Sequence, residues 1–184
     1  YGLAGFGYII TATFLPVIAR QSLPGSAWLD MFWPLFGLGV IAGALIASRM
    51  RTSLDLRLLL AACYAVQALG IGVGLFSPSL AGFALGSLLL GLPFTAITFF
   101  AMQEVRRIRP QAPAALMGLL TALYGLGQIV GPPLAAAMLA RAATPAAGFT
   151  LSLEIAAAAL VLGALAFAAM ARLWPGRPAA PAQA

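Results

Sequence analysis

Six long apolar runs separated by short polar connectors organise this chain, over residues 2–19, 31–48, 58–76, 80–102, 114–140 and 149–171. Each run is mostly Leu, Ala, Ile, Val, Phe and Gly, without the period-two alternation of barrel strands. About 20 apolar residues cross a bilayer as a helix, and a helix bonds its own backbone within one segment. The pattern predicts an all-α membrane protein with six transmembrane helices. Turn formers mark the connectors, with Pro24, Gly25 and Ser26 after the first run and Ser77-Pro78-Ser79 after the third. Residues 49–57, 103–113 and 141–148 read as loops. The Pro- and Ala-rich stretch 173–184 reads as a disordered tail.

Composition sharpens this class. Apolar residues make up 62% of the chain and charged ones only 8%, with a mean hydropathy of +1.02. A soluble domain carries roughly a quarter charged residues to solvate its surface. Lipid is the better solvent for this chain.

The charges that remain are patterned. Lysine is absent, and eight of the ten arginines fall on alternate connectors or after the last run. Arg49, Arg51 and Arg57 follow the second run, Arg106, Arg107 and Arg109 the fourth, and Arg172 and Arg177 the sixth. Positive residues collect in cytoplasmic loops, so both ends of the segment are expected in the cytoplasm of a bacterium, with the spans in its inner membrane. The net charge of +6 then reflects loop arginines beside lipid headgroups. Nucleic-acid binding would need a basic face with stacking partners.

Catalytic chemistry finds little material. There is no histidine and one cysteine, Cys63, inside the third run, so no Ser–His or Cys–His pair and no multi-cysteine metal site can form. The four acids, Asp30, Asp55, Glu104 and Glu154, are not spaced as a pair. No catalytic residue, metal or cofactor is expected. Glu154 is the one acid well inside a run; near its outer end, it is expected to reach water or pair with Arg141. Glu104 with Arg106 and Arg107 reads as a solvated loop cluster, and Gln67 and Cys63 as packing residues. Trp28, Trp33 and Trp174 lie near run ends, where indoles anchor at headgroups.

Glycines recur four apart, at Gly39/Gly43, Gly70/Gly74, Gly82/Gly86 and Gly127/Gly131. Such pairs let helices approach closely in lipid. In the fifth run, Pro132 and Pro133 remove backbone donors and should bend the helix. Thr121, Tyr124 and Gln128 share one face there, and a polar stripe on a membrane helix faces protein or a water-filled path more often than lipid.

The spacing Gly118, Gly127, Gly131-Pro132 resembles the glycine–proline motif of the fifth helix in major facilitator transporters, with Ala135-Ala136 in place of its closing Gly-Gly. Gly43-Ala-Leu45 with Arg49 and Arg51 resembles the superfamily's loop motif between the second and third helices, with Ala47 at the usual Asp. The opening string from Tyr1 to Pro16 is similar to helix seven of the YbfB/YjiJ-type branch, as is Tyr124-Gly-Leu-Gly-Gln-Ile-Val-Gly-Pro. The resemblance covers essentially the whole chain as helices seven to twelve, the C-terminal half of a twelve-helix fold with a 3+3 inverted repeat. It implies that the first and fourth helices line a central cavity, with Tyr8 and Thr11 on one and Thr95 and Thr98 on the other. Pro93 should loosen the helix just before those threonines, as interrupted helices do at transporter midplanes. Tyr124 and Gln128 join the cavity candidates.

The expected function is half of a secondary active transporter that moves a small molecule by alternating access, with proton coupling open. Its partners are the substrate, the bilayer and a missing N-terminal six-helix half. The chain opens at Tyr1, without Met, and reads as a piece of something longer. The alternative is a self-contained six-span channel or an oligomerising scaffold subunit, although no intramembrane charge ring marks a channel filter.

Overall fold

The computed structural model describes residues 1–22, 30–50 and 54–174, with side chains undescribed at 21 and 22. Its elements are α1 (Gly2–Ser22), α2 (Phe32–Arg49), α3 (Leu56–Phe76), α4 (Leu80–Gly91), α5 (Phe94–Ile108), α6 (Pro113–Arg141) and α7 (Pro145–Leu173). Among the described residues there is no strand. Counting α4 and α5 as one interrupted span, six segments are long and apolar enough to cross a membrane. The connector at 23–29, with Pro24, Gly25, Ser26 and Trp28, lies outside the described residues, as do Arg51, Arg177 and the tail from 175.

Local chemistry sets the helix starts. Asp55, Ser79 and Thr144 each accept a backbone N–H of the first turn, from Arg57, Gly82 and Ala147, at 3.0, 3.1 and 3.2 Å. Each satisfies a donor that a helix start leaves open. Pro113 and Pro145 stand in the first turn of their helices, where a missing N–H costs nothing.

Three expected connectors are corrected by this capping and by helix continuity. Arg57 belongs to the first turn of α3 rather than to a loop, because Asp55 caps the helix ahead of it. Glu104, Arg106 and Arg107 lie on the last turns of α5. The polar residues there simply continue a helix whose apolar run has ended. Thr144-Pro145 starts α7 four residues before the apolar run at 149.

The span from Leu80 to Ile108 is interrupted at Leu92-Pro93. Pro93 has no N–H for the Leu89 carbonyl. Backbone bonds resume with Leu92 N–H to Leu88 and Ile97 N–H to Pro93, both at 2.9 Å. In contrast, α6 runs on through Pro132 and Pro133 as one helix.

The packing has an internal symmetry. α1 packs on α6 and α7, the α4–α5 span packs on α2 and α3, and α3 packs on α7. Exchanging α1 with α4–α5, α2 with α6 and α3 with α7 preserves these main pairings. Two glycine pairs occupy matching places in the two halves. A Cβ at Gly39 would lie 2.6 Å from the Leu88 carbonyl oxygen, and one at Gly43 would overlap the Leu92 carbonyl, so α2 needs both glycines to lie against α4. A Cβ at Gly127 would overlap the Gly2 carbonyl, and one at Gly131 would lie 2.6 Å from Ile9 Cγ2, so α6 needs both to reach α1. Outward positions such as Leu38, Ile41, Leu162 and Leu165 are exposed and apolar, as a lipid-facing surface requires.

Candidate functional site

Side chains of α1, α2, α5 and α6 meet at one shared face of the bundle, the candidate groove. Rings and hydroxyls bridge these helices in two layers. In the first, the Tyr1 hydroxyl lies 2.9 Å from Thr98 Oγ1, and the Tyr1 ring sits 5.1 Å from that of Tyr124 on α6. In the second, Tyr8 lies two turns along α1 from Tyr1, on the same face. Its ring is 4.6 Å from Phe94 on α5 and 5.8 Å from Phe36 on α2. Tyr1, Tyr8, Phe94 and Tyr124 are half-buried, and Thr98 is exposed.

Of the residues expected to line a cavity, Tyr8, Thr98 and Tyr124 thus come together around this groove. Gln128 is half-buried one turn beyond Tyr124. Thr11 goes elsewhere: it is fully buried and donates its hydroxyl to the Gly7 carbonyl at 2.8 Å. The Thr95 hydroxyl oxygen is buried and has no partner among the described residues. Thr121 is exposed and donates to the Met117 carbonyl at 2.9 Å. Of the glycine–proline motif, Gly127 and Gly131 meet α1, whereas Gly118 borders open space.

Three groove residues escaped sequence reasoning: Tyr1, Phe36 and Phe94. An aromatic in an apolar run is ordinary core material, and only ring proximity across helices sets these apart. The hollows elsewhere are apolar. One of about 370 Å³ lies between α1, α2 and α4, lined by Ala19, Phe32, Leu35 and Phe83. A wider one of about 810 Å³ lies between α3 and α7.

A second polar assembly sits at the arginine-rich end of the bundle. Arg57, only 5% exposed, grips the Asp55 carboxylate with Nε and Nη2 at 3.0 and 2.8 Å. Its Nη1 donates to the carbonyls of Met170 and Trp174 at 3.1 and 2.6 Å; the former also accepts the Trp174 N–H, and the latter is an acceptor the end of α7 leaves open. Its Nε also lies 3.8 Å from Glu104 Oε1, which accepts from Arg107 at 2.7 Å. One guanidinium therefore joins the ends of α3, α5 and α7. Hydrogen bonding from Arg57 holds the Asp55 carboxyl below its ordinary value of 3.8.

This corrects the expectation of a solvated cluster at Glu104, whose side chain is 11% exposed. Its Oε2 is buried without a partner among the described residues. The other charges stand apart. Arg20 and Asp30 form an exposed pair at 2.9 Å at the opposite end. Glu154 is exposed on α7 and makes no ion pair among the described residues, so of its two expected outcomes the pairing with Arg141 does not form. Gln67 is buried as a packing residue and donates to the Leu90 carbonyl at 3.4 Å, beside the interruption of the α4–α5 span. Cys63 is a half-buried free thiol.

The described His, Cys, Asp and Glu side chains include no group of three able to hold a metal ion. No curated protein and no solved structure gives a match. A family model described as "uncharacterised MFS-type transporter YbfB" matches residues 1–168. That span runs from the first helix almost to the end of α7 and includes every residue of the groove. The six spans, the paired packing of their two halves and this match agree: the chain belongs to the YbfB-type family of major facilitator transporters.

Proposed function

We propose that this chain is the six-helix half of a secondary transporter that carries a small molecule across the inner membrane by alternating access. The two layers of rings and hydroxyls that join α1, α2, α5 and α6 are the observation that carries this reading. Tyr8, Thr98 and Tyr124, with Gln128 beside them, contact the substrate. The interrupted α4–α5 span forms one wall and supplies the place where that wall bends. A second six-helix bundle closes the groove from the far side, and rocking of the two bundles exposes it to each face in turn. Both ends of this segment face the cytoplasm, with the Arg57 assembly on that side. Proton coupling draws on carboxylates outside this groove, since Asp55 and Glu104 sit at the arginine-rich end and Glu154 points outward on α7.

Transport by the full-length protein tests the reading. Tyr8→Ala and Thr98→Val should each lower uptake or efflux in proteoliposomes while the protein still folds and inserts. Unchanged transport in both would refute the groove assignment. Reporter fusions in the connectors at 77–79 and 109–112 should report opposite sides of the membrane. The open reading frame upstream of Tyr1 should encode six further apolar spans with the same arginine alternation; a start codon just before Tyr1 would refute the half-transporter reading.

A further inference from the structure

We infer that the groove takes planar aromatic compounds lacking an anionic group; this rests on the groove assignment of the proposed function. Three properties of the groove lead there. The first is its ring surface. Tyr1 and Tyr124 form one pair, and Tyr8, Phe94 and Phe36 form a triad, with Phe36 and Phe94 5.5 Å apart. Their planes are mutually tilted rather than closed into face-to-face stacks, by 38° for Tyr1 with Tyr124 and 48° for Tyr8 with Phe94. Tyr1, Tyr8, Phe94 and Tyr124 are half-buried and, backed by the buried Phe36, offer faces and edges to an incoming ring. Aromatic contacts stabilise beyond the area they bury.

The second property is charge. The described acids lie at the bundle ends or on the outside of α7, and Arg57 and Arg107 are engaged at the arginine-rich end. A carboxylate or phosphate in this groove would lose its water without gaining a cation from this half of the fold, which is costly. A single positive charge fares better, because ring faces attract cations.

The third property is the shortage of hydrogen-bonding groups. Tyr1 and Thr98 spend one of their two hydroxyl hydrogens on each other, so this half offers a ligand that pair's remaining capacity and Tyr8, Tyr124 and Gln128. From this half a sugar would find partners for few of its hydroxyls, each costly to bury unpaired. A flat ring with few polar atoms avoids that cost.

Ethidium, a fluorescent planar aromatic cation, is a suitable probe. Its binding to the full-length protein in detergent is read by fluorescence anisotropy, with glucose and phthalate as competitors. Binding should weaken about tenfold or more in Tyr8→Leu and in Tyr124→Leu, which keep apolar bulk but lose the ring. It should be unchanged in Leu165→Ala, on the outer face of α7. Neither competitor should displace the dye at millimolar concentration. Absence of ethidium binding overturns the substrate class, as does displacement by glucose or phthalate. Displacement that is itself lost in Tyr8→Leu leaves the groove standing as a binding site and removes only the aromatic preference. Ethidium binding indifferent to both tyrosine variants overturns the groove assignment along with the class. Thermal unfolding of each variant separates loss of binding from loss of fold.

Discussion

Replacing Arg57 by methionine is the sharpest test of how the arginine-rich end is held together. The substitution keeps an apolar stem of similar reach and deletes the guanidinium. Asp55 loses both of its side-chain bonds, at 3.0 and 2.8 Å, the Trp174 carbonyl loses its donor at 2.6 Å, and the Met170 carbonyl, which keeps the Trp174 N–H, loses a second donor at 3.1 Å. Glu104, with a side chain only 11% exposed, keeps Arg107 but loses the nearby second cation. Removing one partner of a fully buried ion pair costs about 3–5 kcal/mol; the Asp55 side chain is 23% exposed and partly reached by solvent, so the cost here is about 1–3 kcal/mol, read as a lowered Tm. The assay is thermal unfolding of the full-length protein in detergent, compared with Arg107→Ala. Arg107 is 41% exposed, and with it gone Arg57 still stands 3.8 Å from the Glu104 carboxylate, so its loss should cost less than that of Arg57. Arg57→Lys should recover only part of the loss, since an ammonium cannot hold a carboxylate at two points and still reach two carbonyls. Equal effects of Arg57→Met and Arg107→Ala would refute the claim that one buried guanidinium joins three helix ends.

Other outcomes follow from the same geometry. Gly43→Val should destabilise strongly, by several kcal/mol, because its Cβ would overlap the Leu92 carbonyl, while Gly37→Ala borders open space and should be neutral or slightly stabilising; unfolding midpoints separate the two. Within one motif, Gly127→Ala should loosen α6 from α1, whereas Gly118→Ala should raise helix stability by up to about 1 kcal/mol. Equal effects would refute the division of that motif into packed and open positions. The Asp55 carboxyl, held down by Arg57, contributes stability that is complete above its ordinary value of 3.8 and fades as pH falls through its lower folded value. The difference in stability between the wild type and Asp55→Asn should therefore stay constant from neutral pH down to about 4 and shrink only below that.

Six spans and their order were readable from residue order alone, because a run long enough to cross lipid is a local property. The interruption at Pro93 was not fixed that way: Pro16, Pro132 and Pro133 also lack an N–H, yet α1 and α6 run on through them. The glycine pairs were readable as close-packing strips, yet their partners were not. Gly39/Gly43 and Gly127/Gly131 look alike in sequence, and only the fold shows that they do matching work against α4 and α1. The site was legible in part. Tyr8, Thr98 and Tyr124 stand out as polar groups in apolar runs. Phe36 and Phe94 do not, because nothing along the chain tells a ring at a groove from a ring in a core.

Charge shows where local reading stops. The arginine pattern by itself gave an expectation of which connectors face the cytoplasm, because that expectation depends on counting residues between spans. It could not tell a solvated arginine from a buried one. Arg57 and Arg107 both looked like loop cations, but Asp55 caps α3 and turns the Arg57 side chain inward, toward the carbonyls at the end of α7 and the Glu104 carboxylate. That outcome needed three helix ends, distant in sequence, to meet at one point. Burial and partner choice are properties of such meetings, so the tertiary structure alone decided them.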